Sequence, residues 1–188
     1  MRAFIAIPLT SECLKALEET QQQLRRINAD VRWAAISSIH LTLKFLGETP
    51  EEMIPRLSES VEEAAREATS FELRIQELGC FPNERNPRVI WRGLGGQINN
   101  LADLQKRIED GCTSCGFAPE EREFRPHLTL GRINGKRNLQ QLIDCIKIGA
   151  GMEQRFTADR LNIYRSVLKP QGAVYTVLKT INFKSNWP

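Results

Sequence analysis

Short alternating runs of apolar and polar residues, broken by a few helical stretches, organise this chain. Residues 3–8, AFIAIP, read as a first strand, and 12–27 carry helical spacing through Leu14, Leu17, Leu24 and Ile27, with Ser11 as the expected N-cap. VRW at 31–33 and the run 39–46 read as strands. TPEE at 49–52 has the form of a helix start, with Thr49 capping, Pro50 in first position and Glu52 closing a capping box, for a helix to about Ala68. Strands are expected at 71–78 and 88–94, a helix from Ile98 to Cys112, a strand at 125–133 and a short helix at 139–147. That helix runs into a Gly149-Ala150-Gly151 connector, and two final strands near 155–165 and 173–183 turn at KPQG, 169–172. Neighbouring strands mostly lack an intervening helix, which favours antiparallel pairing and the α+β class.

Two of these strands share an unusual pattern. The chain has only two histidines, in SIHLTLKFLG (38–47) and RPHLTLGRI (125–133), and each is followed by Leu-Thr-Leu, 87 residues apart. If the following residues were drawn independently, such a recurrence would arise roughly once in several thousand cases. Strand alternation turns Ile39, Leu41, Leu43 and Phe45 one way and His40, Thr42 and Lys44 the other; in the second copy Leu128 and Leu130 point inward and His127 and Thr129 outward. Each strand thus offers an imidazole and a hydroxyl on one face, about 7 Å apart. A single strand of this kind needs no function, because half-exposed His and Thr are ordinary on an antiparallel sheet. The pair argues for a shared site. Two imidazoles titrating near neutrality can act as base and acid, and two hydroxyls can donate to an oxyanion as its charge grows. That is the equipment for attack of water on a phosphodiester without a metal.

Composition narrows the picture. Of the 188 residues, 41% are hydrophobic and 26% charged, as in soluble globular proteins. The net charge of +3 permits an anionic partner without demanding one. Five cysteines (13, 80, 112, 115 and 145) are an odd number, and the N-terminal MRAFIAIPL lacks a signal-peptide cleavage site, so free thiols in a reducing cytoplasm are expected. No apolar run is long enough to cross a membrane. CTSC at 112–115 has zinc or redox spacing but no second pair of ligands, and reads as a helix end before Gly116. EEREFR at 120–125 reads as a solvated loop, and Gly95-Gly96 lacks any nucleotide-binding fingerprint, so no ATP or NAD is expected.

The doubled H-x-T-x motif resembles the 2H phosphoesterase superfamily, specifically the RNA 2′,3′-cyclic phosphodiesterases once called 2′-5′ RNA ligases. RAFIAIPL is similar to the family's opening strand, IHLTLKFLGE to its first motif, RVIWRGL to its central strand, RPHLTLGRI to its second motif and LNIYRSVLKPQGAVYTVL to its final hairpin. The resemblance implies one bilobal α+β domain over 1–188, two antiparallel sheets facing a central cleft with helices outside, related by a pseudo-twofold. It implies His40 as proton donor to the departing 3′ oxygen, His127 as acceptor from water, and Thr42 and Thr129 on the phosphate. The family also has an arginine after the second motif near the phosphate, here Arg132, although strict alternation puts it opposite His127 unless Gly131 bends the strand.

Other cleft residues stay open. Arg125 shares the His127 face and pairs either with phosphate or with Glu123. Phe4 and Trp91 either stack a base or pack in the core. Lys44 is either a phosphate contact or a solvated charge. The expected partner is RNA ending in a 2′,3′-cyclic phosphate, with no cofactor, metal or membrane, and a monomeric state. Small cyclic nucleotides as substrates, or a non-catalytic nucleotide- or RNA-binding module, are the alternatives.

Overall fold

The structure, a computed structural model, describes residues 1–149, 151, 153–169 and 172–185. It is α+β and bilobal. Sheet A has the order β3-β1-β8-β9, from β1 (Arg2–Ile7), β3 (Leu41–Glu48), β8 (Arg160–Lys169) and β9 (Gly172–Asn182). Sheet B has the order β2-β6-β5-β4-β7, from β2 (Val31–Trp33), β4 (Phe71–Phe81), β5 (Val89–Gly96), β6 (His127–Ile133) and β7 (Gln154–Ala158). Every ladder within the two sheets is antiparallel. Helices α2 (Ile54–Ala65) and α3 (Ile98–Ser114) pack together beside sheet A, and α1 (Ser11–Arg25) and α4 (Leu139–Ile148) lie against sheet B. Their amphipathic stripes close one continuous core, with Leu17 and Leu24 from α1, Leu57 and Val61 from α2, Leu101 and Leu104 from α3, and Leu142 and Ile143 from α4.

The elements follow the hydrophobic pattern with local corrections. The N-cap of α1 is Thr10, whose hydroxyl oxygen accepts from the Cys13 amide at 3.3 Å, so Ser11 is the first helical residue instead. The capping box at Thr49 does not form. Its hydroxyl donates to the Gly47 carbonyl, a 3-10 turn spans Glu51–Met53, and α2 starts at Ile54 with Pro55 in its first turn and ends at Ala65. The expected strand at 155–165 divides at Asp159 into β7, in sheet B, and β8, in sheet A. Cys112 and Cys115 are buried at the end of α3, followed by Gly116 at φ +97°, and burial pushes the Cys112 thiol up to about 12. All five cysteines are free thiols. Ala150 in the connector and Pro170 and Gln171 in the KPQG turn lie outside the described residues. No described helix is long and apolar enough to cross a membrane.

Candidate active site

His40 sits immediately before β3 in sheet A, and His127 opens β6 in sheet B. These two strands come within 8 Å of each other, Cα to Cα, where the lobes meet. Each imidazole meets main chain two residues upstream. Nδ1 of His127 lies 2.7 Å from the main-chain carbonyl of Arg125, and the His40 ring bonds the carbonyl of Ser38, in each case two residues upstream. A carbonyl only accepts, so Nδ1 of His127 carries the proton and Nε2 is left for chemistry.

The surroundings of the two rings differ. His40 is packed into an aromatic cluster: its centroid lies 4.6 Å from that of Phe4, with the rings inclined by 22°, and 5.2 Å from Tyr175, edge on. Tyr164 completes the cluster, 5.0 Å from Phe4. Burial there lowers the His40 pKa to about 4, against the opposing hydrogen bond to Ser38, so the ring is neutral at pH 7 in the unliganded protein. His127 meets Phe81 edge to face at 5.0 Å, and Phe81 in turn packs on Trp91 at 4.9 Å. Thr42 and Thr129 are partly buried, and neither hydroxyl is held by another group among the described residues.

Irregularities in the strands decide what else reaches the cleft. Between β5 and β6, Ile90 pairs with Gly131 but Trp91 pairs with Thr129, so Leu130 is an extra residue. This bulge reverses the alternation beyond it. Arg132 therefore returns to the His127 face and acts on Tyr175 across the cleft. Burial raises the Tyr175 pKa, with Arg132 and Arg2 opposing. The bulge is fastened from behind. Gln21 of α1, buried, donates through Nε2 to the carbonyls of Leu130 and Ala34, each at 2.9 Å, and the Ala34 amide also reaches Leu130 at 2.9 Å. Gly131 is required here because a Cβ would sit 2.8 Å from Val31 Cγ1.

In β3 the same device overturns one expectation. Ala6 pairs with Thr42 but Ile5 with Lys44, which makes Leu43 an extra residue. Lys44 consequently turns away from the cleft into the core. Its ammonium, 3% exposed, pairs with Glu109 at 2.5 Å and donates to the Ala118 carbonyl at 2.7 Å, so it is neither a phosphate contact nor a solvated charge. Phe45, expected on the core face, is 68% exposed and borders the cleft. A second bulge at Leu46 restores the original phase.

Three further candidates have defined surroundings. Phe4 is 4% exposed inside the aromatic cluster, stacked on His40. Arg125 pairs with Glu123 at the surface, with Nε and Nη2 both 3.2 Å from Glu123 Oε2. Trp91 is not in the core: it is partly exposed and lines an open groove of about 620 Å³ with Gly79, Asn83 and Arg85. The alternation rule missed Tyr164, Tyr175 and Arg2, because nothing local in β1, β8 or β9 marks which residues will meet His40.

A cavity of about 250 Å³ adjoins His40, walled by Phe4, Phe45, Leu168, Tyr175 and the Arg2 side. No cluster of three or more His, Cys, Asp or Glu able to hold a metal exists among the described residues. Sheet A thus carries His40 and Thr42, and sheet B carries His127, Thr129 and Arg132, on strands that approach each other within 8 Å, Cα to Cα. Residues 13–169 match the 2′-5′ RNA ligase superfamily. The chain belongs to that superfamily.

Two curated relatives resemble it over nearly their whole length. An RNA 2′,3′-cyclic phosphodiesterase of Methanothermobacter thermautotrophicus is 33% identical, covering 94% of this chain and 95% of that protein. One from Thermotoga maritima is 32% identical, covering 98% and 96%. A crystal structure of a Thermus thermophilus protein superposes with a TM-score of 0.82 at 28% identity over 100% of both chains. The structure of E. coli LigT complexed with 3′-AMP gives 0.80 at 25% identity over 97% of both. The 2H phosphoesterase resemblance drawn from the two histidine motifs therefore holds for family and fold.

Proposed function

We propose that the protein hydrolyses RNA 2′,3′-cyclic phosphate ends to 2′-phosphomonoesters, using His40 as general acid, His127 as general base, and no metal. The observation that carries this reading is that His40 and His127, each two residues before a threonine, belong to opposite sheets whose strands approach within 8 Å, Cα to Cα. The names of the relatives, RNA 2′,3′-cyclic phosphodiesterases, support the substrate class.

In this mechanism water attacks phosphorus in line with the P–O3′ bond. His127 takes the proton from water through Nε2, the P–O3′ bond breaks, and O3′ leaves with a proton from His40. The 2′ ester bond survives. Thr42, Thr129 and Arg132 donate to the non-bridging oxygens, where charge builds in the transition state. His40 is neutral in the empty site, and the phosphate anion supplies the opposite charge that draws a proton onto it. A 5′-hydroxyl in place of water gives weak 2′-5′ joining through the same steps.

The test is incubation with an oligonucleotide ending in a 2′,3′-cyclic phosphate, in excess EDTA, followed by mass. The expected result is gain of one water, reduced about 10²–10⁴-fold in His40→Ala and in His127→Ala. Binding without turnover would instead make the protein a non-catalytic RNA-binding module, and loss of turnover in EDTA would end the metal-free mechanism.

A further inference from the structure

Strand β2, at the edge of sheet B, sets Arg32 directly opposite Arg132 of β6. Partners in register share a face of the sheet, with Cβ atoms about 4.5–5.5 Å apart. Both side chains are exposed, and neither makes an ion pair among the described residues. Other arginines near this edge do have carboxylates, Arg125 with Glu123 and Arg137 with Asp30. Like charges directly opposite one another destabilise a sheet, so this pair opposes folding unless an anion lies over it. The face in question is the cleft. Arg132 acts on Tyr175 of the opposite sheet, while the intervening Gly131 has its Cβ direction turned toward Val31 and Trp33 on the other side.

One reacting cyclic phosphate carries a single negative charge, and Arg132, the threonines and His40 already answer it. A second arginine beside them calls for a second anion. We propose that Arg32 binds a second phosphate of the substrate, the 5′-phosphate of the terminal nucleotide, so that the site is built for the cyclic end of an RNA strand and not for a free nucleoside 2′,3′-cyclic phosphate. This rests on the cyclic-phosphate reading above and sharpens its substrate class. Arg32 contributes binding energy equally to ground and transition states, so its effect falls on KM and not on kcat.

The experiment compares kcat and KM for adenosine 2′,3′-cyclic phosphate, the same compound carrying a 5′-phosphate, and a dinucleotide with a cyclic end. A hydrogen bond to a charged group corresponds to about 10–100-fold, so the wild-type protein should favour the two phosphate-bearing substrates by that factor in KM. In Arg32→Gln the preference should collapse to about 2-fold or less, with Arg32→Lys intermediate, and added salt should erode it in wild type only. The melting temperature of Arg32→Gln should equal or exceed that of wild type, because a like-charge repulsion is removed; this readout excludes a structural role. Equal KM values for all three substrates in wild type, or a preference undiminished in Arg32→Gln, would overturn the inference while leaving the hydrolytic reading standing. Failure of wild type to turn over any of the three would overturn both.

Discussion

His40 and His127 open the same tetrapeptide, yet their environments differ enough to separate their behaviour. Among Phe4, Tyr164 and Tyr175, His40 is desolvated and its pKa falls to about 4 from an unfolded value near 6.5. The unfolded chain therefore binds more protons than the native one between those values. Stability from neutral, buried His40 is complete above pH 6.5 and is lost as pH falls toward 4. Urea unfolding at pH 7.5 and at pH 4.5 should show wild type losing more stability over that interval than His40→Gln, which has no imidazole to charge. Equal losses would show that the ring is hydrated in solution. The aromatic cage also explains why Phe4, open to two readings in the sequence, is buried against His40. Its neighbours come from β8 and β9, more than 150 residues away along the chain, beyond the reach of local periodicity.

At the scale of elements, strand existence and the two histidine faces were legible because alternation is a local consequence of backbone geometry. What alternation cannot register is an inserted residue. The bulge at Leu43 sends Lys44 into the core and Phe45 to the cleft, and the bulge at Leu130 brings Arg132 onto the His127 face that simple counting denied it. Both are properties of pairing with β1 and β5 and have no signature in one strand alone. The Leu130 bulge depends on Gln21, whose side-chain amide bridges two carbonyls from within α1. Gln21→Leu should cost about 1–3 kcal/mol in chemical denaturation, the range for buried polar groups left short of a partner. It should also raise KM for cyclic ends by loosening Arg132. An unchanged KM together with the stability loss would separate the bulge from phosphate binding.

For the whole molecule, the organising fact is that two lobes deliver similar strands to one cleft. The Lys44–Glu109 pair helps hold that arrangement, since Lys44 lies on the strand after His40 and also reaches Ala118, in the segment leading to His127. Glu109 in turn accepts from the Glu120 amide at 2.8 Å, extending the tie along the same segment. Fold class and family were readable because both motifs, the helix stripes and the final hairpin kept their local patterns. The cage, the bulges and the Arg32–Arg132 pairing were not, because each arises only when distant strands meet. The central claim is that both imidazoles address one phosphate, and a chain with only two histidines permits a direct test. Long-range ¹H–¹⁵N spectra of the imidazole nitrogens, recorded while titrating a nucleoside 2′-monophosphate, should show both Nε2 signals moving together with a single Kd, assigned through His40→Gln and His127→Gln. One ring unmoved, or two rings responding with different Kd values, would contradict a shared site.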